Sequence, residues 1–312
     1  MTSPRILAIG GAHVDRRGRM TAPFVPGASI PGSMSEEVGG GVFNALRGAV
    51  RRGAQGVLIS VRGGDSAGDA VATAIAANGI EDLSAVFLDR ATPSYTALLD
   101  SAGDVVAALA DMGLYELAFA KQLRRSKVRE AMAAAEAVLC DANLPEAALA
   151  KLVDMADKPV FAIAISPAKA VRLAPILNQL YCVFMNRREA AVLAGVSAET
   201  GLETIVHGLR AAGLRRGVVT AGGNAVFAYD SNGIIVVTPP PPRQIADVTG
   251  AGDALAGATT AALMRGLSLQ AALREGIAAA VLTIETASAV AELDQPAFAD
   301  MLALVPPAQE MA

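Results

Sequence analysis

The chain has 312 residues, 53% of them apolar and only 4% aromatic, with no tryptophan, so any core must be packed by Ala, Val, Leu and Ile. A net charge of −4 argues against non-specific nucleic-acid binding. No stretch of about 18 residues or more is free of charges and breakers as a membrane span requires; the most apolar run, 278–293, is interrupted by Glu285 and Glu292.

Residues 6–9 read as a first strand, and the segment 1–11 has no basic stretch leading a long apolar run, a pattern that predicts a cytoplasmic protein. That strand runs into Gly10-Gly11-Ala12-His13-Val14-Asp15, and an aspartate leaving a strand's C-terminal end stands where open α/β sheets bind ligands. His13 fits a structural or a functional role equally well. With only His13 and His207 in the chain, neither a His-rich metal site nor a Ser–His triad is expected. Residues 14–37, rich in Pro, Gly and Ser, carry no helical period. Then Gly39-Gly40-Gly41-Val42-Phe43-Asn44 leads into a helix over 42–52, either as a tight turn or as a ligand loop whose Asn44 amide offers both donor and acceptor to a diol.

Further apolar runs at 57–61, 137–140, 160–165, 183–185, 217–220 and 226–229 read as strands, and helical spacing appears at 69–78, 147–155 and 203–212. Gly53, Gly79 and Gly213 stand where helices would stop. This alternation predicts a mostly parallel sheet covered by helices on both faces. Residues 94–110 break the rhythm with two strands around a turn at 100–104, and with 14–37 they predict a small β insertion. The prolines at 239–242 suggest an extended edge segment, and the tail from Pro306 is expected to fray. Cys140 and Cys182 lack metal-type spacing and are expected to be buried free thiols. Short basic clusters at 124–129 and 215–216 read as solvated faces.

The most informative segment is Asp247-Val248-Thr249-Gly250-Ala251-Gly252-Asp253, which opens an apolar run, 254–264, that reads as a buried helix. Two glycines spaced by one small residue let backbone N–H groups face a ligand, and a helix N-terminus favours an anion there. Asp253 would repel a bound anion. It makes sense as a general base beside a phosphoryl group in transit, whose charge the amides hold. Helix capping by Thr249 or Asp253 is the plain alternative, but it needs neither glycine.

This heptapeptide resembles the signature of the ribokinase-like, or PfkB, family of ATP-dependent sugar and nucleoside kinases, and other motifs agree in order and spacing from about residue 5 to 292. The resemblance implies one kinase domain over 1–312, with lid segments at about 14–38 and 89–112. It gives Asp253 the role of base, Gly250, Ala251 and Gly252 that of anion hole, and Asp247 a place near a monovalent cation such as K⁺. Gly40, Gly41, Asn44 and Asp15 would hold the acceptor's sugar hydroxyls. Asn186 and Glu189 would position Mg²⁺ and the phosphates of ATP, with Thr220, Gly222, Gly223 and Thr249 lining the nucleotide site.

Within the family the chain is most similar to the pseudouridine kinases, through Gly10–Asp15, Ser29-Ile30-Pro31-Gly32, Ser94-Tyr95, Ala110-Asp111-Met112 and Asp141-Ala142-Asn143-Leu144. That similarity implies transfer to the 5′-hydroxyl of pseudouridine, with Tyr95 and Asp111 near the base. The chain departs from the family pattern at Ile30 and Phe43, expected on the acceptor side, and at Ile163 and Ala225, expected on the nucleotide side. Two alternatives stand beside it: a kinase for another nucleoside or a free sugar, and a sensor that binds nucleoside or nucleotide without turnover. No nucleic-acid or membrane partner is expected. Exposed apolar edges at 95–99 suggest a homodimer paired through the lid.

Overall fold

A computed structural model describes residues 3–311. At its centre is a ten-stranded sheet. Seven neighbouring strands run parallel, in the spatial order Gly217–Thr220, Cys182–Asn186, Val160–Ile163, Ala137–Asp141, Arg5–Ile9, Gln55–Ile59 and Glu81–Asp82. Three antiparallel strands, Val226–Asp230, Gly233–Val237 and Gln309–Met311, extend the sheet beyond Gly217–Thr220.

Side chains alternate between the faces of a strand. Leu7 and Ile9 therefore pack into one helical layer while Ile6 and Ala8 pack into the other, and Val138 and Cys140 oppose Ala137 and Leu139 in the same way. A strand buried on both faces must be apolar throughout, which is why these segments stood out as unbroken apolar runs. The first layer includes helices Gly113–Gln122, Ser126–Ala134, Glu146–Met155 and Leu202–Ala211. The second includes Gly41–Arg51, Ser66–Ala77, Ala251–Met264, Leu269–Ile284 and Gln295–Leu304. The expected α/β class, with its mostly parallel sheet between helices, is what forms.

The β segments anticipated around 14–37 and 94–110 form a separate four-stranded sheet, in the order Gly32–Gly39, His13–Met20, Ser94–Leu99 and Val105–Asp111. It grows directly from the C-terminal end of Arg5–Ile9, the end at which an open parallel sheet binds ligands. Ser94–Leu99 is an inner strand, paired on both sides, so the exposed edge expected at 95–99 does not exist there. The outer strands are Gly32–Gly39 and Val105–Asp111.

Three further readings change. The tail beyond Pro306 is not frayed over its described part: Gln309–Met311 pairs with Gly233–Val237. The strand expected over 160–165 stops at Ile163, because Ile165 adopts a left-handed φ of 69° that no strand accommodates. The run 57–61 is split, with Val61–Gly63 pairing instead with Ala85–Phe87. Cys140 and Cys182 are buried free thiols as expected, and burial pushes both thiols well up. Among the described residues no helix is long and apolar enough to cross a membrane.

One packing detail sets up the site. Helices Gly41–Arg51 and Ala251–Met264 cross closely because position 257 is glycine: a Cβ there would collide with the Ala45 carbonyl oxygen. That close approach puts Asn44 of the first helix beside Asp253 of the second.

Candidate active site

Gly250 precedes the helix Ala251–Met264 in a left-handed conformation (φ 77°). A Cβ at Gly250 would be strained by that φ and would collide with the Ala289 carbonyl oxygen, so the loop around Ala289 backs the turn directly. The N–H groups of Gly252 and Asp253 donate to nothing among the described residues. Both lie in the first helical turn, where orphan donors and the helix dipole together attract an anion.

Asp253 sits at the floor of the cleft. Its carboxylate accepts a hydrogen bond from Asn44 Nδ2 at 3.1 Å. Part of its surface remains open, yet burial pushes its carboxyl up to about 7; the charges of Asp141, Asp15 and Glu189 act in the same direction, and the Asn44 hydrogen bond opposes them. A carboxyl that ionises near neutral pH is suited to taking up a proton during reaction.

Behind this pair lies a residue that the motif reading did not single out. Asp141, at the C-terminal end of its strand, is fully buried and accepts hydrogen bonds from Gly11 N and Val42 N at 3.1 Å, Asn143 N at 3.0 Å and Asn143 Nδ2 at 3.0 Å. A buried carboxylate held by four donors fixes the Gly10–Gly11 turn against the N-terminus of helix Gly41–Arg51. Lys169 Nζ in turn donates to Asn143 Oδ1 at 2.5 Å. Ile165 belongs to the same wall, since a Cβ on Gly41 would strike its Cδ1. A β-branched residue at positive φ is costly by about 1–2 kcal/mol, and such outliers gather at functional sites.

The four-stranded sheet contributes Asp15. His13, one turn of pleat earlier, holds Asp15 Oδ1 at 3.3 Å from its Nε2, while its Nδ1 lies 3.2 Å from the Tyr115 hydroxyl. The histidine left open from the sequence therefore orients Asp15. The lid register pairs Asp15 with Tyr95, and paired residues share a face, so Tyr95 stands beside Asp15 with part of its ring exposed. Asp111 is different: it pairs with Ser94, which puts it on the other pleat face, and Tyr95 is opposite Ala110. The structure thus gathers Asp15, Gly40, Gly41, Asn44, Tyr95 and Asp253 around one cleft and leaves Asp111 turned to the opposite side of the lid. A cavity of about 210 Å³ opens at this face, lined by Asp15, Arg17, Ser35, Glu36 and Glu37.

Phe43 needs a correction. It was expected on the acceptor side, but it is fully buried in the second helical layer with Ile6, Ala8 and Leu46. Adjacent helical positions face different ways, so an arrangement that aims Asn44 at the cleft turns Phe43 into the core.

Farther along the sheet, Asn186 and Thr220 are register partners at the ends of adjacent parallel strands. Asn186 caps the helix Arg187–Ala194, accepting from Glu189 N at 3.0 Å, and Glu189 returns the bond by accepting from Asn186 N at 2.7 Å. The pair is a capping box. Burial raises the Glu189 carboxyl above its ordinary value, opposed by the two Asn186 hydrogen bonds. Gly222 and Gly223 form an exposed turn after Thr220 with open space around both. Among the described residues no group of three or more His, Cys, Asp or Glu could hold a metal ion directly.

Asp247 has a partner that motif reading overlooked. Arg17, on the lid strand, donates from Nη1 to Asp247 Oδ2 at 2.5 Å and from Nη2 to Thr249 Oγ1 at 2.9 Å. Asp247 Oδ1 accepts from Thr249 N at 2.8 Å. Burial alone would raise the Asp247 carboxyl, but the Thr249 and Arg17 contacts outweigh it and hold it below the usual carboxylate range. The sequence did carry a hint: Arg17 is two residues beyond Asp15, and in a strand that spacing shares a face.

A mostly parallel sheet with polar groups at its strand ends leads to a helix N-terminus whose first-turn N–H groups have no partner among the described residues, with the Asp253 carboxyl beside them. The model of the pfkB family of carbohydrate kinases matches residues 4–296, and the chain belongs to that family. It is similar to the pseudouridine kinase of Escherichia coli (strain K12), with 28% identity over 90% of this chain and 91% of that protein. It is also similar to a solved carbohydrate kinase from Agrobacterium tumefaciens, with 46% identity, a TM-score of 0.87, and coverage of 99% of this chain and 100% of that one. The ribokinase of Arabidopsis thaliana, solved with ribose and ATP, shares the fold at a TM-score of 0.85 and 20% identity, over 97% of this chain and 99% of that one. The protein is a sugar or nucleoside kinase.

Proposed function

We propose that this kinase transfers the γ-phosphate of ATP to the 5′-hydroxyl of pseudouridine, within one catalytic unit whose segments 14–38 and 89–112 act as the lid. The observation that carries the reading is the Asn44–Asp253 contact at the mouth of the open helix N-terminus, with Asp15 and Tyr95 beside it. Asn44 and Asp15 orient the ribose hydroxyls, and the exposed face of Tyr95 offers a surface on which a base can stack. Asp253 accepts the proton of the attacking hydroxyl. That oxygen forms a bond to the γ-phosphorus as the bond to the β-phosphate oxygen breaks, and ADP leaves. The N–H groups of Gly252 and Asp253 hold the negative charge of the transferring group throughout.

A nucleotide-borne Mg²⁺ suits the donor set better than a protein cage does. Glu189 and Asn186 engage both carboxylate oxygens and the amide oxygen with each other in the capping box, so they would meet the ion through its waters, and Mg²⁺ is commonly held by few carboxylates plus phosphates and water. Such an ion supplies neutralisation of phosphate charge when bound.

Similarity to the E. coli pseudouridine kinase over nine-tenths of the chain supports the acceptor. A second reading, with another nucleoside or a free sugar as acceptor, is favoured by Asp111 lying on the pleat face opposite Tyr95. ATP consumption measured with pseudouridine, uridine, cytidine, adenosine, ribose and fructose separates the two. Preference for pseudouridine by about tenfold or more in kcat/KM is expected. Turnover of a different acceptor refutes the pseudouridine assignment and keeps the kinase. Binding without turnover of any acceptor would instead favour a sensor.

A further inference from the structure

The lid meets the catalytic turn at two points, through side chains that also line the cavity beside Asp15. At one, the Arg17 guanidinium bridges Asp247 and Thr249, the two polar side chains immediately ahead of Gly250. At the other, Glu37 on the neighbouring lid strand accepts from Ser288 Oγ at 3.3 Å and from Ala289 N at 3.1 Å. Ala289 is the residue whose carbonyl lies against Gly250. The turn is therefore held from both sides by side chains of one face of the lid.

The resemblance to the family implies a monovalent cation near Asp247. The residues present do not fit one there. Both Asp247 oxygens are already engaged, Oδ2 by the Arg17 guanidinium and Oδ1 by Thr249 N–H. A metal ion on the same carboxylate would sit against a permanent positive charge, since guanidinium does not deprotonate in proteins. Arg17 is also only about one-third exposed, with Asp15 and Glu37 adding negative charge around it. The position is thus supplied with a cation by the chain itself.

We propose that Arg17 is the built-in cation of the catalytic turn: it fixes Asp247 and Thr249, and with them the anion hole at Gly250–Asp253, so that phosphoryl transfer needs no monovalent metal ion and depends on the lid being docked. This rests on the kinase reading above. Arg17 touches the turn and not the reacting atoms, so it is a positioning residue. Its removal should therefore lower kcat more than it raises the acceptor KM. A planar two-pronged donor is required because Asp247 and Thr249 present two acceptors side by side, which a lysine ammonium matches poorly.

The test compares wild type, Arg17→Ala and Arg17→Lys in K⁺, Na⁺ and tetramethylammonium chloride at equal ionic strength. Wild-type kcat should vary by less than about twofold among the three salts, and Arg17→Ala should lose about 10- to 100-fold in kcat, the loss expected for one charge-assisted contact to the catalytic turn. Arg17→Lys should recover only part of that loss. Added guanidinium ion at millimolar concentration should restore part of the Arg17→Ala rate, which a merely structural role would not do. Wild-type turnover that falls about tenfold without K⁺ or Na⁺ overturns the proposal, as does Arg17→Ala with wild-type kcat. A readout independent of turnover is the wild-type melting temperature, expected to be indifferent to K⁺ against tetramethylammonium. A K⁺-specific rise in it overturns the proposal even if no acceptor is phosphorylated, whereas absence of all turnover with an indifferent melting temperature refutes the kinase reading alone.

Discussion

Replacing Asp253 by Asn should make the folded protein more stable at alkaline pH while removing its activity. The Asp253 carboxyl ionises at about 7 in the folded chain, because it is buried near Asp141, Asp15 and Glu189. In the unfolded chain it ionises near the ordinary aspartate value of about 3.8. The folded state therefore holds a proton that the unfolded state has released throughout that interval. Stability contributed by this group is complete below the lower value and is lost as pH rises to the upper one. A shift of about 3 units corresponds to ~4 kcal/mol at most, at about 1.36 kcal/mol per unit. Water entering the open cleft reduces that, and about 2 kcal/mol is a realistic expectation. Asn resembles the protonated acid at every pH and can still accept from Asn44, so it escapes the penalty. For 312 residues, about 1.5 °C of melting temperature accompanies each kcal/mol, which gives a rise of ~3 °C at pH 8. Urea unfolding of both proteins at about pH 5.5 and pH 8 reads the effect, and the gap in favour of Asn should widen between them. A gap that stays constant with pH, or an Asn variant that is less stable at pH 8, would refute the placement of a carboxyl with raised ionisation at this position.

Two further outcomes are expected. The kcat/KM of the wild type should rise with pH through about 7, falling about tenfold per unit below it, because only the ionised Asp253 accepts the proton; a flat profile between about pH 5.5 and 8 would remove Asp253 from that role. Gly250→Ala should lower kcat by about 100-fold or more and reduce the melting temperature, since the added methyl meets the Ala289 carbonyl and the φ of 77° is unfavourable for alanine; unchanged kinetics in that variant would mean that the turn does not hold the transferring group.

Much of the fold and the turn at the centre of the candidate site were legible in the sequence for local reasons. Strands such as Ala137–Asp141 announce themselves because both faces are buried. The turn at Gly250 announces itself because a left-handed Gly250 and an open helix N-terminus need those residue types in that order. What the sequence hid is long-range. Arg17 and Asp247 are 230 positions apart, and nothing local tells which lid side chain will reach the turn. Asp111 and Tyr95 looked like companions, yet the register of two lid strands separates them by a face, and a one-residue difference in pairing is enough to do that. Phe43 was misplaced because its neighbour Asn44 is at the site, and one step along a helix rotates a side chain by about 100°. The pairing of Gln309–Met311 could not be read from so short and polar a strand. Asp141 appeared only as part of a motif, and its role as a hub depends on four donors drawn from three separate segments.

The central claim is that Asp253 is the base of a phosphoryl transfer at the Gly250 turn. Single-turnover transfer from ATP, measured side by side for the wild type and Asp253→Asn with nucleotide affinity determined for both, tests it most directly. The predicted result is a loss of at least ~10²-fold in the transfer rate with nucleotide affinity changed by no more than about threefold. Transfer by the Asn variant at close to the wild-type rate would contradict it.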